Sequence, residues 1–450
     1  MSATSLEAKL RARSAQVAIV GLGYAGLPMA LELGRAGYPI VGFDVDLHKV
    51  DAINHRRSPV SNVADSEVAE LRAAGRLVAS TDPRTLDAAD VAIICVPTPL
   101  TAEGGPDLRF VESAAVTLAE HLHHDMLVVL QSTCGPGTTA RQLAPTLERV
   151  SRLRAGQDFL LAFAPERIDP GNTVYTVQNT PKLVGGITED STRLACLLYA
   201  TCIHEIVPVS SPEVAELAKL IENTFRFINI SFINEMALLC DRMGVNVWEV
   251  IEAAKSKPFA FMPHYPSAGV GGHCIPVVPQ YLAAAAREAG LLSELIPAAN
   301  RVNASMPRMI VDKVERGLEA HGKTLLDASV LIVGVAYKPD IDDIRESAAI
   351  RVLEEALARG ARVAYHDPLV PGVVLAGDRV RSVPLEADQL AALDAAVLVT
   401  PHTSIDYDLI VRHAPLVIDT HSGLTARRGP NVLNVWDPLA WVATPLPVAR

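Results

Sequence analysis

Cys274 closes a glycine-rich run, Tyr265-Pro266-Ser267-Ala268-Gly269-Val270-Gly271-Gly272-His273-Cys274. A cysteine behind such a loop can sit exposed, with backbone amides aimed at a bound ligand and its thiolate stabilised by nearby donors. Isolated cysteines are more often buried small hydrophobes, but the flanking glycines favour a chemical role here. His273 could assist, although adjacency in sequence does not bring side chains together. A second constellation is Gly21-Leu22-Gly23-Tyr24-Ala25-Gly26. Its first glycine permits a tight turn, its second lets backbone approach a pyrophosphate, and its third allows a helix to pack closely on a strand. Asp44 follows 18 residues after Gly26 (44 − 26), where an acid accepts from ribose hydroxyls and repels a 2′-phosphate, so NAD is favoured over NADP. Cys95-Val96-Pro97-Thr98-Pro99 adds either a ligand-side loop or merely a rigid loop exit.

These residues need a scaffold, and the flanking periodicity supplies one. Gln16–Val20, Ile40–Asp44, Val91–Val96, Leu127–Gln131 and Phe159–Phe163 read as strands separated by lengths that suit βαβ crossovers in a parallel sheet. A second alternating region follows, with strands at Val330–Val333, Arg362–His366, Ala396–Thr400 and Val417–Asp419 and a helix at Ala348–Ala358. Between them Ser211, Pro212, Glu213 and Glu216 mark a helix start: a cap, a proline that needs no partner, and acids at the positive end of the dipole. No glycine or proline interrupts the run before Gly244. At about 1.5 Å per residue, Glu213 to Met243 would extend on the order of 45 Å. The expected fold class is α/β: two Rossmann-like parallel-sheet domains joined by a helical middle with one long connecting helix. The expected domains are 1–208, which binds NAD, 209–310, which carries the nucleophile loop, and 311–450, the second α/β domain.

Five segments carry a resemblance across essentially the whole chain. They are Gly21–Gly26, Ala164-Pro165-Glu166-Arg167, Glu216-Leu217-Ala218-Lys219-Leu220-Ile221-Glu222-Asn223, the Tyr265–Cys274 run, and Gly334-Val335-Ala336-Tyr337-Lys338 continuing to Arg345 and Ser347. The pattern resembles the UDP-glucose/GDP-mannose dehydrogenase family. Lys257–Pro263 before the nucleophile loop, and Pro165–Asn172, are more similar to its UDP-N-acetylglucosamine 6-dehydrogenase branch. The resemblance implies a twofold, NAD-dependent oxidation of a sugar C6 alcohol to the carboxylate, serving polysaccharide biosynthesis. Cys274 would capture the aldehyde as a thiohemiacetal and carry the thioester. Glu166 matches the acid/base residue, Lys219 and Asn223 match groups at the sugar and the developing oxyanion, and Thr133 matches a residue of both the catalytic and cofactor sets.

The resemblance also assigns Tyr24, Ala25, Pro97, Thr98 and Arg345 to the cofactor. To the substrate it assigns Arg167, Tyr265, Gly269, Gly271, His273, Tyr337, Lys338 and His421. Lys219 and Asn223, four apart on a helix, share one face, although a lysine is by default a solvated side chain. Glu166 could instead pair with Arg167. Lys338 and Arg345 offer charge to phosphates, or pair with Asp340, Asp342, Asp343 and Glu346 nearby.

Departures from the family pattern bear on mechanism. Val278 stands four residues after the nucleophile, where the family carries an aspartate that organises the attacking water; valine neither accepts a proton nor orients water. His421 replaces the customary arginine, and Gln131 with Cys134-Gly135 stands where the branch has Glu and Thr-Tyr. Three readings follow: complete oxidation with Glu166, Lys219 or His273 covering the missing base; a divergent dehydrogenase with another substrate or one that stops at the aldehyde; and a non-catalytic protein that binds NAD and a nucleotide sugar. Retention of Cys274, Glu166, Lys219 and Asn223 favours catalysis.

The 450 residues are 49% hydrophobic, ordinary for a folded protein, with 40 Lys+Arg against 51 Asp+Glu and a net charge of -11. That balance opposes nucleic acid or an anionic membrane as a partner. No run approaches the roughly 18 apolar residues of a membrane span, so a soluble cytoplasmic chain is expected. Six scattered cysteines without a C-x-x-C pair give no zinc site or disulfide framework, and no metal is expected. The family resemblance implies a homodimer built on the helical middle.

Overall fold

Runs of four apolar residues bounded by turn formers are too short for helices and suit strands buried on both faces. The computed structural model describes residues 3–169, 171–172, 174–421 and 429–438; Pro170, in the segment 165–172 quoted above, lies outside them. The chain packs as two units, Met1–Glu222 with Gln280–Leu292, and Asn223–Pro279 with the chain from Ser293 onward.

The first unit is built on an eight-stranded sheet. Its strands are β1 (Val17–Val20), β2 (Ile40–Phe43), β3 (Leu77–Ser80), β4 (Val91–Ile94), β5 (Leu127–Leu130), β6 (Leu160–Phe163), β7 (Lys182–Gly186) and β8 (Ile206–Pro208), ordered β3-β2-β1-β4-β5-β6-β7-β8. All pairings are parallel except β6 with β7. Alternate residues feed two apolar layers: Val17 and Ile19 on one face, Ala18 and Val20 on the other.

Three strands lack a clear sequence signal. β3 leaves Val78 half in solvent, β8 is three residues long, and β7 contains Gly185 and Gly186, which lower strand propensity. A Cβ on Gly185 would overlap the Ser211 carbonyl, so that glycine is required where the chain enters the long helix.

The second unit contains a five-stranded parallel sheet and a hairpin. The strands are β9 (Ser329–Val333), β10 (Arg362–His366), the hairpin pair β11 (Gly372–Leu375) and β12 (Asp378–Arg381), then β13 (Ala395–Leu398), β14 (Val417–Asp419) and β15 (Val432–Asn434). The sheet order is β10-β9-β13-β14-β15. Val330 and Ile332 face one core layer, Leu331 and Val333 the other.

The helix predicted from Glu213 to Met243 spans Pro212–Met243. It stops at Gly244, whose φ of +71° is the left-handed conformation of a helix C-terminus. No helix among the described residues is long and apolar enough to cross a membrane.

Candidate functional site

The nucleotide loop of the first unit has the geometry its glycines imply. A Cβ on Gly26 would overlap the Gly21 carbonyl oxygen, so only glycine lets the following helix pack this closely, while the position of a Cβ on Gly23 is open space. The helix Gly26–Arg35 begins at Ala25 with no side-chain cap; Leu27 N donates to Gly23 O and Pro28 has no N–H, so an anion would be met by the loop amides that precede them. Asp44 is buried at the end of β2 and accepts from Leu22 N at 2.8 Å, Asp46 N at 2.9 Å and Lys49 Nζ at 3.2 Å. A carboxylate offers about four acceptor sites, so one remains for a ribose hydroxyl. These residues fit NAD.

Nearby loops are held from beneath. The Tyr281 hydroxyl bonds the carbonyls of Thr98 and Pro99 at 3.1 Å each, and Ser132 Oγ bonds Val96 O at 2.7 Å. Pro97 is exposed, Thr98 and Thr133 half-buried. Tyr24 rests its hydroxyl 3.4 Å from Ser61 Oγ.

Glu166 does not pair with the Arg167 guanidinium. Its Oε1 accepts the backbone N–H groups of Arg167 (2.8 Å) and Ile168 (3.0 Å), and its Oε2 faces Gln131 Nε2 (2.9 Å) and Lys182 Nζ (3.3 Å). Arg167 instead forms a forked pair with Glu222 and donates to Pro181 O. Gln131 thus holds the carboxylate that it departs from the family to face. Lys182, almost wholly buried and over the Tyr199 ring at 5.3 Å, escaped sequence reasoning; a lysine entering an apolar strand was the available signal.

Glu216 was expected to serve the helix dipole, and the structure gives it another task. It is fully buried and accepts from Gly137 N, Thr139 N, Thr139 Oγ1 and Cys134 Sγ. Burial pushes its carboxyl up despite those donors. It lashes the Thr133–Thr139 loop to the long helix. Lys219, one turn on, is buried rather than solvated, and Asn223 follows after a further turn; Asn223 Nδ2 is a buried donor without a partner among the described residues.

In the second unit the nucleophile loop is fixed at several points. Ser267 N bonds Asn234 Oδ1, Val270 N bonds Asn303 Oδ1, and Gly272 N bonds Arg345 O at 2.9 Å. Gly269 has φ of +130°. A Cβ on Gly271 would lie 2.8 Å from the Tyr337 Cβ, and one on Gly272 2.8 Å from the Tyr337 ring, so the glycines admit close contact between this loop and the Tyr337 segment. Cys274 is half-buried and in no disulfide, and its carbonyl accepts from Val278 N at the start of the helix Val278–Glu288.

Other expected contacts have local partners. Tyr265 stacks on Trp248 at 4.8 Å and donates to Glu252 at 2.8 Å. Arg345 forms a forked pair with Asp343, the local-acid alternative. Burial raises the Asp343 carboxyl, but the Arg345 guanidinium and backbone N–H outweigh it and hold it below its ordinary range. His273 Nδ1 lies 3.8 Å from the same carboxylate. Lys338 is half-buried. Desolvation lowers the His421 imidazole below its ordinary value.

Comparison with known proteins gives consistent matches along the chain. Models of the UDP-glucose/GDP-mannose dehydrogenase family match at residues 15–203 (NAD binding domain), 213–305 (central domain) and 331–426 (UDP binding domain). A UDP-N-acetyl-D-mannosamine dehydrogenase of Pyrococcus horikoshii is 35% identical, covering 90% of this chain and 94% of its own. A UDP-N-acetyl-D-glucosamine 6-dehydrogenase of Pseudomonas aeruginosa is 34% identical over 79% and 83%. The solved structure of the Pyrococcus horikoshii UDP-D-ManNAc dehydrogenase superposes with a TM-score of 0.84 over 94% of this chain and 99% of that one, at 32% identity. Relatives of both sugar specificities are thus about equally similar, and the likeness to the glucosamine branch does not separate them.

Proposed function

The chain belongs to the UDP-glucose/GDP-mannose dehydrogenase family and is an NAD-dependent nucleotide-sugar dehydrogenase; from that premise we propose that it oxidises C6 of a UDP-N-acetylhexosamine, with the gluco or manno configuration, to the uronic acid. The observation that carries this reading is the seating of Gly271 and Gly272 on Tyr337, which sets the Cys274 loop against the segment that opens the UDP binding domain.

In this reading the cofactor site would be filled twice per turnover, each NAD supplying the hydride acceptor for one of the two oxidations. The Gly21–Gly26 loop and Asp44 would orient the cofactor, and Tyr24, Ala25, Pro97, Thr98, Thr133 and Arg345 are the further residues that the family resemblance assigns to it. Lys219 and Asn223 donate to the C6 oxygen as negative charge develops there. The Cys274 thiolate adds to the aldehyde carbon, giving a thiohemiacetal; loss of the second hydride leaves a thioester, and water releases the acid and the thiol. Glu166 takes the proton of that water after releasing one of its four donors. Arg167, Tyr265, Gly269, Gly271, His273, Tyr337, Lys338 and His421 are the residues that the family resemblance assigns to the nucleotide sugar. The division at 1–208, 209–310 and 311–450 and a homodimer belong to the same proposal; the dimer rests on an apolar row along the long helix, Val214, Leu217, Ile221, Phe225, Phe232, Leu239 and Met243, all substantially exposed.

A second reading, arrest at the aldehyde, is favoured by Val278, which is 3% exposed and apolar where water must be activated. Purified protein incubated with NAD and UDP-GlcNAc, UDP-ManNAc or UDP-glucose separates them. Two NADH per uronate is expected with an N-acetylhexosamine, and none of the uronate with Cys274→Ala. One NADH with a trappable aldehyde would establish the second reading; undiminished uronate from Cys274→Ala would remove the covalent route.

A further inference from the structure

The segment after β9 that carries Tyr337 and Lys338 is clamped at both ends by groups outside every motif of the reaction. At its start Val335 N and Ala336 N both donate to Asp367 Oδ2, at 2.7 and 3.0 Å. At its end Asp340 N donates to His402 Nδ1 at 3.0 Å, with Asp340 itself at a left-handed φ of +61°. The clamps are one structure, because His402 Nε2 lies 3.0 Å from the same Asp367 oxygen. An imidazole that accepts at Nδ1 carries its proton at Nε2 and donates there. Further ties act on the same segment: Thr400 Oγ1 donates to Ala336 O at 2.6 Å, and Thr403 N and Oγ1 donate to Asp340 Oδ1.

We propose that the buried His402–Asp367 pair is a splint that presets the Tyr337–Lys338 segment for the uridine nucleotide, making both residues positioning residues for substrate binding. His402 and Asp367 come from the carboxyl ends of two different strands, β13 and β10, which flank β9 in the sheet. The splint therefore ties the loop at the end of the central strand to both neighbours. Asp367 Oδ1 is occupied by Leu369 N and Val370 N, so its carboxylate is fully committed and rigid. Both side chains are inaccessible to solvent, and neither can touch a ligand directly. A fixed loop lowers the ordering cost of binding, and Gly272, bonded to Arg345 O and seated on Tyr337, extends the same scaffold toward Cys274. The inference rests on reading the second unit as the nucleotide-sugar side.

Calorimetric titration of the full-length protein with UDP, beside NADH binding followed by fluorescence, tests it. His402→Phe keeps the volume and removes both bonds; UDP affinity should fall about 10- to 100-fold, as for a loop misplaced by an ångström, with NADH affinity within about twofold. His402→Gln, which can still donate to Asp367, and His402→Asn, which can still accept from Asp340, should each recover part of the loss; either supplies the test if the phenylalanine variant does not fold. Unchanged UDP affinity in folded variants overturns the splint and leaves the functional reading intact. Equal loss of UDP and NADH affinity also overturns it, as general destabilisation. A wild-type protein that binds no UDP removes the functional reading and the splint with it.

Discussion

Val278 sits at the first position of its helix, its N–H bonded to the Cys274 carbonyl and its side chain buried. Nothing at that position can hold or activate water. Val278→Asp restores a carboxylate at a helix start, where the dipole favours negative charge. If thioester hydrolysis limits turnover, uronate formation should rise about 10-fold or more, while the buried charge should cost about 1–3 kcal/mol, seen as a lower Tm. An unchanged or lower rate would mean that valine suits a different final step.

Asp367 gives a second prediction at this scale. Burial raises its carboxyl, but the bond from His402 and the N–H groups of Leu369, Val335 and Ala336 bring it down to about 2, from an ordinary 3.8. A depressed carboxyl stabilises the fold above its unfolded value, and that stability is lost as pH falls through its folded value. The difference corresponds to about 2 kcal/mol. Denaturant unfolding should therefore find Asp367→Asn at least that much less stable than wild type at pH 7, with the gap shrinking by about 2 kcal/mol as pH falls from about 4 through about 2. A gap independent of pH would show that the charge is not what stabilises.

Local sequence pattern and tertiary burial coincide in some elements and part in others. The helix Ala348–Ala358 and strands β10 and β14 lie where periodicity and β-branched runs placed them, because local pattern and tertiary burial agree there. β7 was not legible, since Gly185 answers to the close approach of Ser211, remote in sequence, and Gly186 to the turn back of the chain at Ser191 and Thr192. The antiparallel pairing of β6 with β7 adds to the parallel strands read from sequence a reversal that local pattern does not announce, because strand direction is a property of the connection and not of the strand. At this scale Gly26→Ala is decisive: a methyl group would overlap the Gly21 carbonyl and push the helix from the strand. NAD affinity should fall at least about 10-fold, with UDP binding unaffected. Calorimetry with both ligands would read it, and wild-type NAD affinity would refute the packing argument.

For the molecule as a whole, the long helix presents an apolar row with spacings of three, four and seven residues from Val214 to Met243. Such a continuous exposed stripe marks an association surface, and the proposed occupant is a second copy of this chain. Phe232→Glu with Leu239→Glu should convert a dimer into a monomer in sedimentation velocity experiments; a wild type that sediments as a monomer at micromolar concentration would exclude the dimer. The net charge of -11 belongs to the surface, whereas anion recognition falls to helix N-termini and glycine loops.

Sequence alone determined the α/β class, the long helix, the glycine loop with Asp44 and the candidacy of Cys274, because each is written in residues close together along the chain, where turn geometry and hydrophobic period act locally. The tertiary structure decided which partner each polar group takes. Glu166 turned to backbone amides, Gln131 and Lys182 rather than to the Arg167 guanidinium; Glu216 turned from its own helix to the Thr139 loop; and Asp367 met His402, 35 residues away. Those choices follow from the need of every buried polar group for a partner, and most of the partners come from elements that the fold brings together from positions remote in sequence.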